Sequence, residues 1–281
     1  MTYNIFIIFI LSMLINGCGI KPNPNQLNLV MPGDPKSIDP AYATDVRTGQ
    51  LCALLYDNLV GFGKGADLLP GLSKSWKISN DALTYSFQLK DSVLFQNGKQ
   101  FHCTDVKNSF ERILNAKTNS HRKWLFKNVK GASAFSSGHI ASVPGFLCTD
   151  DYTFKIELNK PFVPFLGFLA MPSASIIHES QGGGIIGTGP WKLKEWIHDG
   201  HILFERNNNY FDGSPKLASL KIRILAEVLP RTAEFVTGYL DIMEVPEAEF
   251  SIWRNDPEWG PNIKYQDDLS IHYLGLNCSR P

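Results

Sequence analysis

Between Leu72 and Leu114 the chain reads LSKSWKISNDALTYSFQLKDSVLFQNGKQFHCTDVKNSFERIL, and this run restricts the fold more than any other. Leu83, Tyr85, Phe87 and Leu89 alternate with Thr84, Ser86 and Gln88, which predicts a strand with one apolar and one polar face. Asn80-Asp81 and Asn97-Gly98 tolerate positive φ and predict two chain reversals. Thr104 is expected to cap a helix on which Val106, Phe110, Ile113 and Leu114 fall at helical spacing, with Asp105 in its first turn. Strands, tight turns and a helix in so short a span make a compact α+β unit, and its apolar faces require a core.

The remainder of the chain is long enough to supply one. At 281 residues, 43% hydrophobic and 19% charged, it has room for one large or two modest domains. A formal net charge of +0 points to neither nucleic acid nor a strongly acidic partner. Five cysteines, Cys18, Cys52, Cys103, Cys148 and Cys278, lack the paired CxxC spacing of a zinc or redox site. Disulfides and buried free thiols both remain open for them.

At the amino end, Ile5 to Ile15 is an almost unbroken apolar run. It is shorter than the roughly 20 residues that span a bilayer, and has the length of a signal-peptide core. Ile15-Asn16-Gly17-Cys18 resembles a lipobox, with Cys18 as the lipidated residue, residues 1–17 as signal peptide and 18–26 as a polar tether. Against this stand Asn16 and the lack of Lys or Arg ahead of the run; the other reading is a buried segment with a chance cysteine. Leu27 to Met31 reads as a strand, Leu51 to Leu59 as a helix, and Asn115 to Asp150 as a surface excursion. A half-buried strand from Tyr152 to Leu158 precedes a short helical turn carrying Phe165, Leu166, Phe168 and Leu169, read as core. Strands follow at Lys192 to Trp196, Ile202 to Arg206 and Leu220 to Ile224, then a helix at Arg231 to Gly238.

Several chemical motifs fail on inspection. Gly182, Gly184 and Gly187 fit G-x-G-x-x-G, but Pro190 sits where a nucleotide-binding helix would open. His198 and His201 bracket Asp199-Gly200 and read as exposed hairpin residues rather than a transition-metal site. Neither a nucleophile elbow, a zinc-protease helix nor a P-loop occurs, and Asp150-Asp151, Asp267-Asp268 and Glu247 with Glu249 read as solvated acids. The expectation is a non-enzyme without cofactor or metal.

Taken in order, Trp76, Tyr85, Phe87, Leu89, Phe95, Gly98, Phe101, Asp105 and Val106 resemble the signature region of the family 5 bacterial extracellular solute-binding proteins, the oligopeptide and dipeptide receptors of ABC importers. Gly187-Thr188-Gly189-Pro190-Trp191 is similar to the family's Gly-Thr/Ser-Gly-Pro-Tyr. Arg206-Asn207-Asn208-Asn209-Tyr210-Phe211 resembles Arg-Asn-Pro-Asn-Tyr-Trp, with Asn208 and Phe211 as departures. Ser37-Ile38-Asp39-Pro40, Tyr56-Asp57-Asn58-Leu59 and Gly238 to Ile242 resemble further landmarks, and Ile271 to Asn277 the passage toward the second lobe.

The resemblance implies an α/β, type II periplasmic-binding-protein-like fold of two lobes. Residues 27–270 would form the first lobe, with an inserted α+β subdomain at about 50–185, and 271–281 a truncated crossover. By position Thr44, Asp45 and Val46 would line the ligand cleft, against the alternative of a solvated loop. Implied partners are a peptide, a permease with its ATPase, and a membrane through the lipid on Cys18, in the cell envelope, with no nucleic acid. An acid that holds the peptide's ammonium in the family belongs to the second lobe. A micromolar complex, about −8 kcal/mol, would fall to millimolar on losing half its contacts. The rival expectations are a repurposed surface lipoprotein acting as sensor, adhesin or partner-binding module, and a receptor for nickel or another solute.

Overall fold

The computed structural model describes residues 23–65, 67–180 and 183–265. The signal peptide, Cys18, most of the tether, Gly182, Asp267-Asp268, the crossover and Cys278 lie outside the described residues.

Two four-stranded sheets organise the molecule. In the first, β1 (Gln26–Met31) runs parallel to β12 (Ser219–Ile224), which continues antiparallel to β11 (His201–Arg206) and β10 (Trp191–Ile197). The strand partner of β1 is therefore nearly 200 residues distant, at the other end of the lobe. Helix α1 (Val46–Leu55) covers this sheet, and Leu51, Cys52 and Leu55 join Met31, Ile202, Phe204, Leu220 and Ile222 in one buried core. The sequence placed this helix at Leu51 to Leu59. It begins earlier because Asp45 caps it, and ends earlier because Tyr56 turns to extended backbone. Asn58 and Leu59 then present their carbonyls to Leu72, Gly71 and Ser73, an arrangement a helix could not offer.

The second sheet is antiparallel throughout, in the order β4 (Ser73–Ile78), β5 (Thr84–Leu89), β7 (Thr153–Glu157), β6 (Phe146–Asp150). Tyr85, Phe87 and Leu89 are buried as their alternation predicts. Gly98 turns at φ +85°, but at the Asn80-Asp81 reversal the left-handed residue is Ala82 (φ 54°), while the Asp81 carboxylate accepts from the Leu83 amide. Helix α2 (Cys103–Leu114) packs on this sheet through Val106, Phe110, Ile113 and Leu114. His102 rather than Thr104 occupies its cap position, and the Asp105 carboxylate accepts from the His102 amide at 2.9 Å.

Asn115 to Asp150 is not a surface excursion. Leu125, Phe126, Val129, Ala132, Val143 and Phe146 are buried, and Phe110 meets Phe126, Phe146 and Phe154 at 4.6, 5.6 and 5.9 Å between ring centroids. These apolar residues come from turns and short elements, α3 (Ala132–Ser136) among them, so their spacing follows neither period. A disulfide joins Cys103, the first residue of α2, to Cys148 on β6, whereas Cys52 is a buried free thiol whose pKa desolvation pushes up to about 12. The aromatic turn at Pro161–Pro164 leads into α4 (Phe165–Leu169), with Phe165 and Leu169 fully buried. Short pairs β2 (Val60–Phe62) with β3 (Leu68–Pro70) and β8 (His178–Glu179) with β9 (Ile185–Ile186) edge the junction between the two cores. The carboxyl-terminal helix α5 (Val228–Val236) starts three residues before its expected position, and α6 (Phe250–Asn255) follows.

Candidate functional site

Parallel strands that end together leave main-chain groups and loop starts at one edge, where open α/β sheets bind ligands. Here β1 and β12 end in register at Met31 and Ile224, and the His198-Asp199-Gly200 hairpin lies beside them, since the Ile224 amide donates to the Gly200 carbonyl at 2.9 Å. Asp34 ties the loop after β1 to that hairpin: its carboxylate accepts from the Trp196 indole at 2.8 Å and the Asp199 amide at 2.6 Å. Burial alone would raise this carboxyl's pKa, but those two donors and nearby His198 outweigh it and hold it below its usual range. The Arg47 guanidinium of α1 lies directly against Gly33 in this loop.

Thr44, Asp45 and Val46 lead into α1, with Asp45 at its cap position and Val46 its first residue. Thr44 is exposed and Val46 is 75% exposed. Asp45 is committed to its own helix, accepting from the Thr48 amide and hydroxyl, both at 3.0 Å. Burial would raise its pKa; the Thr48 donors, with Lys36 and Arg47, reverse that and hold it low. The Thr44 and Val46 side chains are thus exposed, while the Asp45 carboxylate is committed to the cap.

The preceding residues are strapped to the second core. Ser120 donates to the Ala41 carbonyl, Tyr42 to that of Thr118, and Arg122 Nε to that of Ala43, at 2.5, 2.8 and 2.8 Å, while Ser173 donates to the Ala43 carbonyl at 3.0 Å. Tyr42 and Trp124 consequently sit at the same junction, each 38% exposed. The sequence reading did not reach Tyr42, Arg122 or Trp124. The one available signal was a cationic and aromatic cluster, His121-Arg122-Lys123-Trp124, inside a segment that otherwise looks like polar surface.

The remaining landmarks form a knot at the end of α1. Asp57 accepts from Thr188 at 2.7 Å and from Tyr210 at 3.0 Å, and Asn207 donates to the Gly189 carbonyl at 3.0 Å. Burial drives the Asp57 pKa up despite both hydroxyl donors, and desolvation beside Asp57 raises Tyr210. Gln96 Nε2 donates to the carbonyls of Leu55, Gly189 and Trp191. Gly187 and Gly189 lie directly on the end of α1, where a β-carbon would meet the Leu55 carbonyl oxygen at 1.9 and 2.7 Å. Asp39 takes Arg112 bidentately at 2.9 and 2.6 Å. Beside the knot, Ile38, Leu55, Tyr56, Gln96, Ile185 and Gly187 line a notch of about 370 Å³. His201 pairs with Glu195 and His198 with Asp34, so the two imidazoles do not converge; among the described residues no three His, Cys, Asp or Glu could hold a metal ion.

This arrangement is the first-lobe architecture of periplasmic binding proteins. Over 83% of this chain and 48% of the other, it superposes on the substrate-binding domain of an oligopeptide ABC transporter from Bacillus anthracis, with TM-score 0.76 and 21% identity. The Escherichia coli murein tripeptide binding protein MppA matches over the same shares with TM-score 0.75 and 24% identity. Residues 67–281 match the family described as bacterial extracellular solute-binding proteins, family 5 middle, and the chain belongs to that family. The dipeptide-binding protein of Escherichia coli K12 is 27% identical over 273 residues, covering 88% of this chain and 50% of that protein. The glutathione-binding protein GsiB of the same strain is 29% identical over 256 residues, covering 87% and 46%. The chain thus spans about half the length of the curated relatives it matches.

Proposed function

We propose that the chain is a substrate-binding component of an ABC importer that captures extended oligopeptides or dipeptides for delivery to a permease and its ATPase. What supports this reading is the match of residues 67–281 to the solute-binding family, and Thr44–Val46, which lead into α1, are the segment taken to meet the ligand. A peptide main chain can be met as an added strand with side chains weakly specified. Relatives named for dipeptides and glutathione support the same ligand class. The described residues supply one wall of the ligand cleft, so the complex they form alone is weak, on the order of millimolar. Closure by a second lobe would supply the remaining contacts.

Export agrees with the Cys103–Cys148 disulfide, because such bonds persist in oxidising compartments. Cys18 would carry the lipid that holds the protein on a membrane, two acyl chains being enough for stable anchoring. Amide chemical shifts of the intact, isotopically labelled protein, followed during titration with mixed di- and tripeptides, test the reading. Saturable shifts clustered at Thr44–Val46 are expected. Shifts elsewhere, or none, would overturn the site.

A further inference from the structure

The two halves of the Cys103–Cys148 disulfide meet opposite surroundings. Cys103 is wholly buried at the first position of α2; its amide donates to the Asp151 carbonyl at 2.8 Å and its Sγ lies 3.4 Å from the Thr153 carbonyl oxygen. Cys148 is exposed, as are Leu147, Thr149 and Asp150 around it. These residues belong to β6, an outer strand of the second sheet: β7 bonds one side of it, and no described strand bonds the other. Solvent therefore meets the bond at the Cys148 sulfur. Cys52 gives the contrast, a buried free thiol that desolvation keeps protonated and unreactive.

Thiol–disulfide exchange begins when a thiolate reaches a disulfide sulfur, so access decides which sulfur is attacked. We infer that Cys148 Sγ is a thiol–disulfide exchange site for the thiolate of a low-molecular-weight thiol or of a Cys-x-x-Cys protein, with buried Cys103 as the leaving and resolving partner. The incoming thiolate forms a new S–S bond with Cys148 Sγ. The Cys103–Cys148 bond breaks, and its electron pair leaves on Cys103 Sγ, which takes a proton from water. The Thr153 carbonyl stands where that S–H can donate. Helix α2 stays seated on the sheet through Val106, Phe110, Ile113 and Leu114, so Cys103 continues to face Cys148. Once deprotonated, Cys103 attacks Cys148 Sγ and expels the incoming thiolate, restoring the original bond. A Cys-x-x-Cys donor has a second route. Its other thiolate attacks its own sulfur in the mixed disulfide, and Cys148 leaves as a thiolate; two electrons have then passed from the dithiol, now a disulfide, to the Cys103–Cys148 pair, now two thiols. The unbonded side of β6 leaves room for the chain of such a donor beside Cys148. This inference is independent of the ligand reading.

The test uses the intact chain without denaturant and two probes: reduced glutathione, and a thioredoxin whose second active-site cysteine is replaced by serine. Samples are quenched in acid at successive times, alkylated in urea, and mapped by peptide mass spectrometry, which reads each cysteine separately. The expected result is a mixed disulfide on Cys148 with one or both probes, with Cys103 carrying only the alkyl group added in urea and Cys52 unmodified before urea. An adduct with glutathione identifies small thiols as donors, and one with thioredoxin alone identifies a protein donor. Two variants read the same asymmetry without the native bond. With oxidised glutathione, Cys148 in Cys103→Ala should react at least about 10-fold faster than Cys103 in Cys148→Ala, as expected of an exposed against a buried thiol. Adducts on Cys103, adducts shared equally by the two cysteines, or a pair that neither probe opens before urea would overturn the assignment, and the parent chain alone decides this if either variant fails to fold.

Discussion

Removing the Cys103–Cys148 disulfide tests how the second core is stabilised. The bond joins the first residue of α2 to the edge strand β6 across a separation of 45 residues. Cross-linking a loop of that length removes about 4 kcal/mol of chain entropy from the unfolded state, on the loop-closure relation. Phe110, Phe126, Phe146 and Phe154 pack together beside the bond, and the loop it closes carries the first three of these rings. Replacing both residues, Cys103→Ala with Cys148→Ala, avoids an unpaired thiol. Urea unfolding followed by tryptophan fluorescence should show a midpoint lower by about 2 M at a slope of ~2 kcal/mol/M. Mapping of non-reduced peptides establishes the bond in the parent protein. A linked parent whose midpoint exceeds the double variant's by less than ~0.3 M would refute the argument, because the core would then hold α2 against β6 unaided.

Five further substitutions probe the scaffold. Gly189→Ala should cost about 1–3 kcal/mol in urea unfolding by overpacking, since its β-carbon would meet the Leu55 carbonyl carbon at 2.5 Å, whereas Gly61→Ala, with nothing within 4 Å, should be close to neutral. Phe110→Ala should lose about 3–5 kcal/mol in the same assay, as for other fully buried phenylalanines. Asp34 and Asp45 have pKa values lowered by folding, so they contribute stability above the ordinary carboxylate value of 3.8 and lose it as pH falls through their folded values. Asp34→Asn should accordingly flatten the acid limb of a thermal-stability profile below about pH 4. Asp57 has the opposite sign: its raised pKa means that stability declines as pH rises from 3.8 to its folded value, and Asp57→Asn should remove that component.

The aromatic cluster and the segment before α1 show where one-dimensional reading stops. Tyr85, Phe87 and Leu89 announce their burial because a strand alternates faces with a fixed period, and Val106, Phe110, Ile113 and Leu114 do so through a helical one. Asn97-Gly98 was readable as a left-handed bend from its own turn chemistry and Gly187 to Trp191 as a family motif, whereas the reason Gly187 and Gly189 are glycines, their contact with Leu55, belongs to the fold. From these the sequence alone determined the first-lobe α/β fold and the family.

Tertiary structure decided what depends on residues far apart in the chain. Phe126, Val129 and Phe146 follow no period, and only their packing on Phe110 and Phe154 makes them core. The Cys103–Cys148 pairing follows from α2 lying against β6, a proximity that no spacing encodes. The Asp45 carboxylate is committed to the cap of α1, a role that shows only once the helix start is known. Tyr42 meets Thr118 and Arg122 meets Ala43 through hydrogen bonds across separations of 76 and 79 residues, which no local pattern announces. Local patterns record how each element meets water; which elements meet one another is set by the packing of the whole.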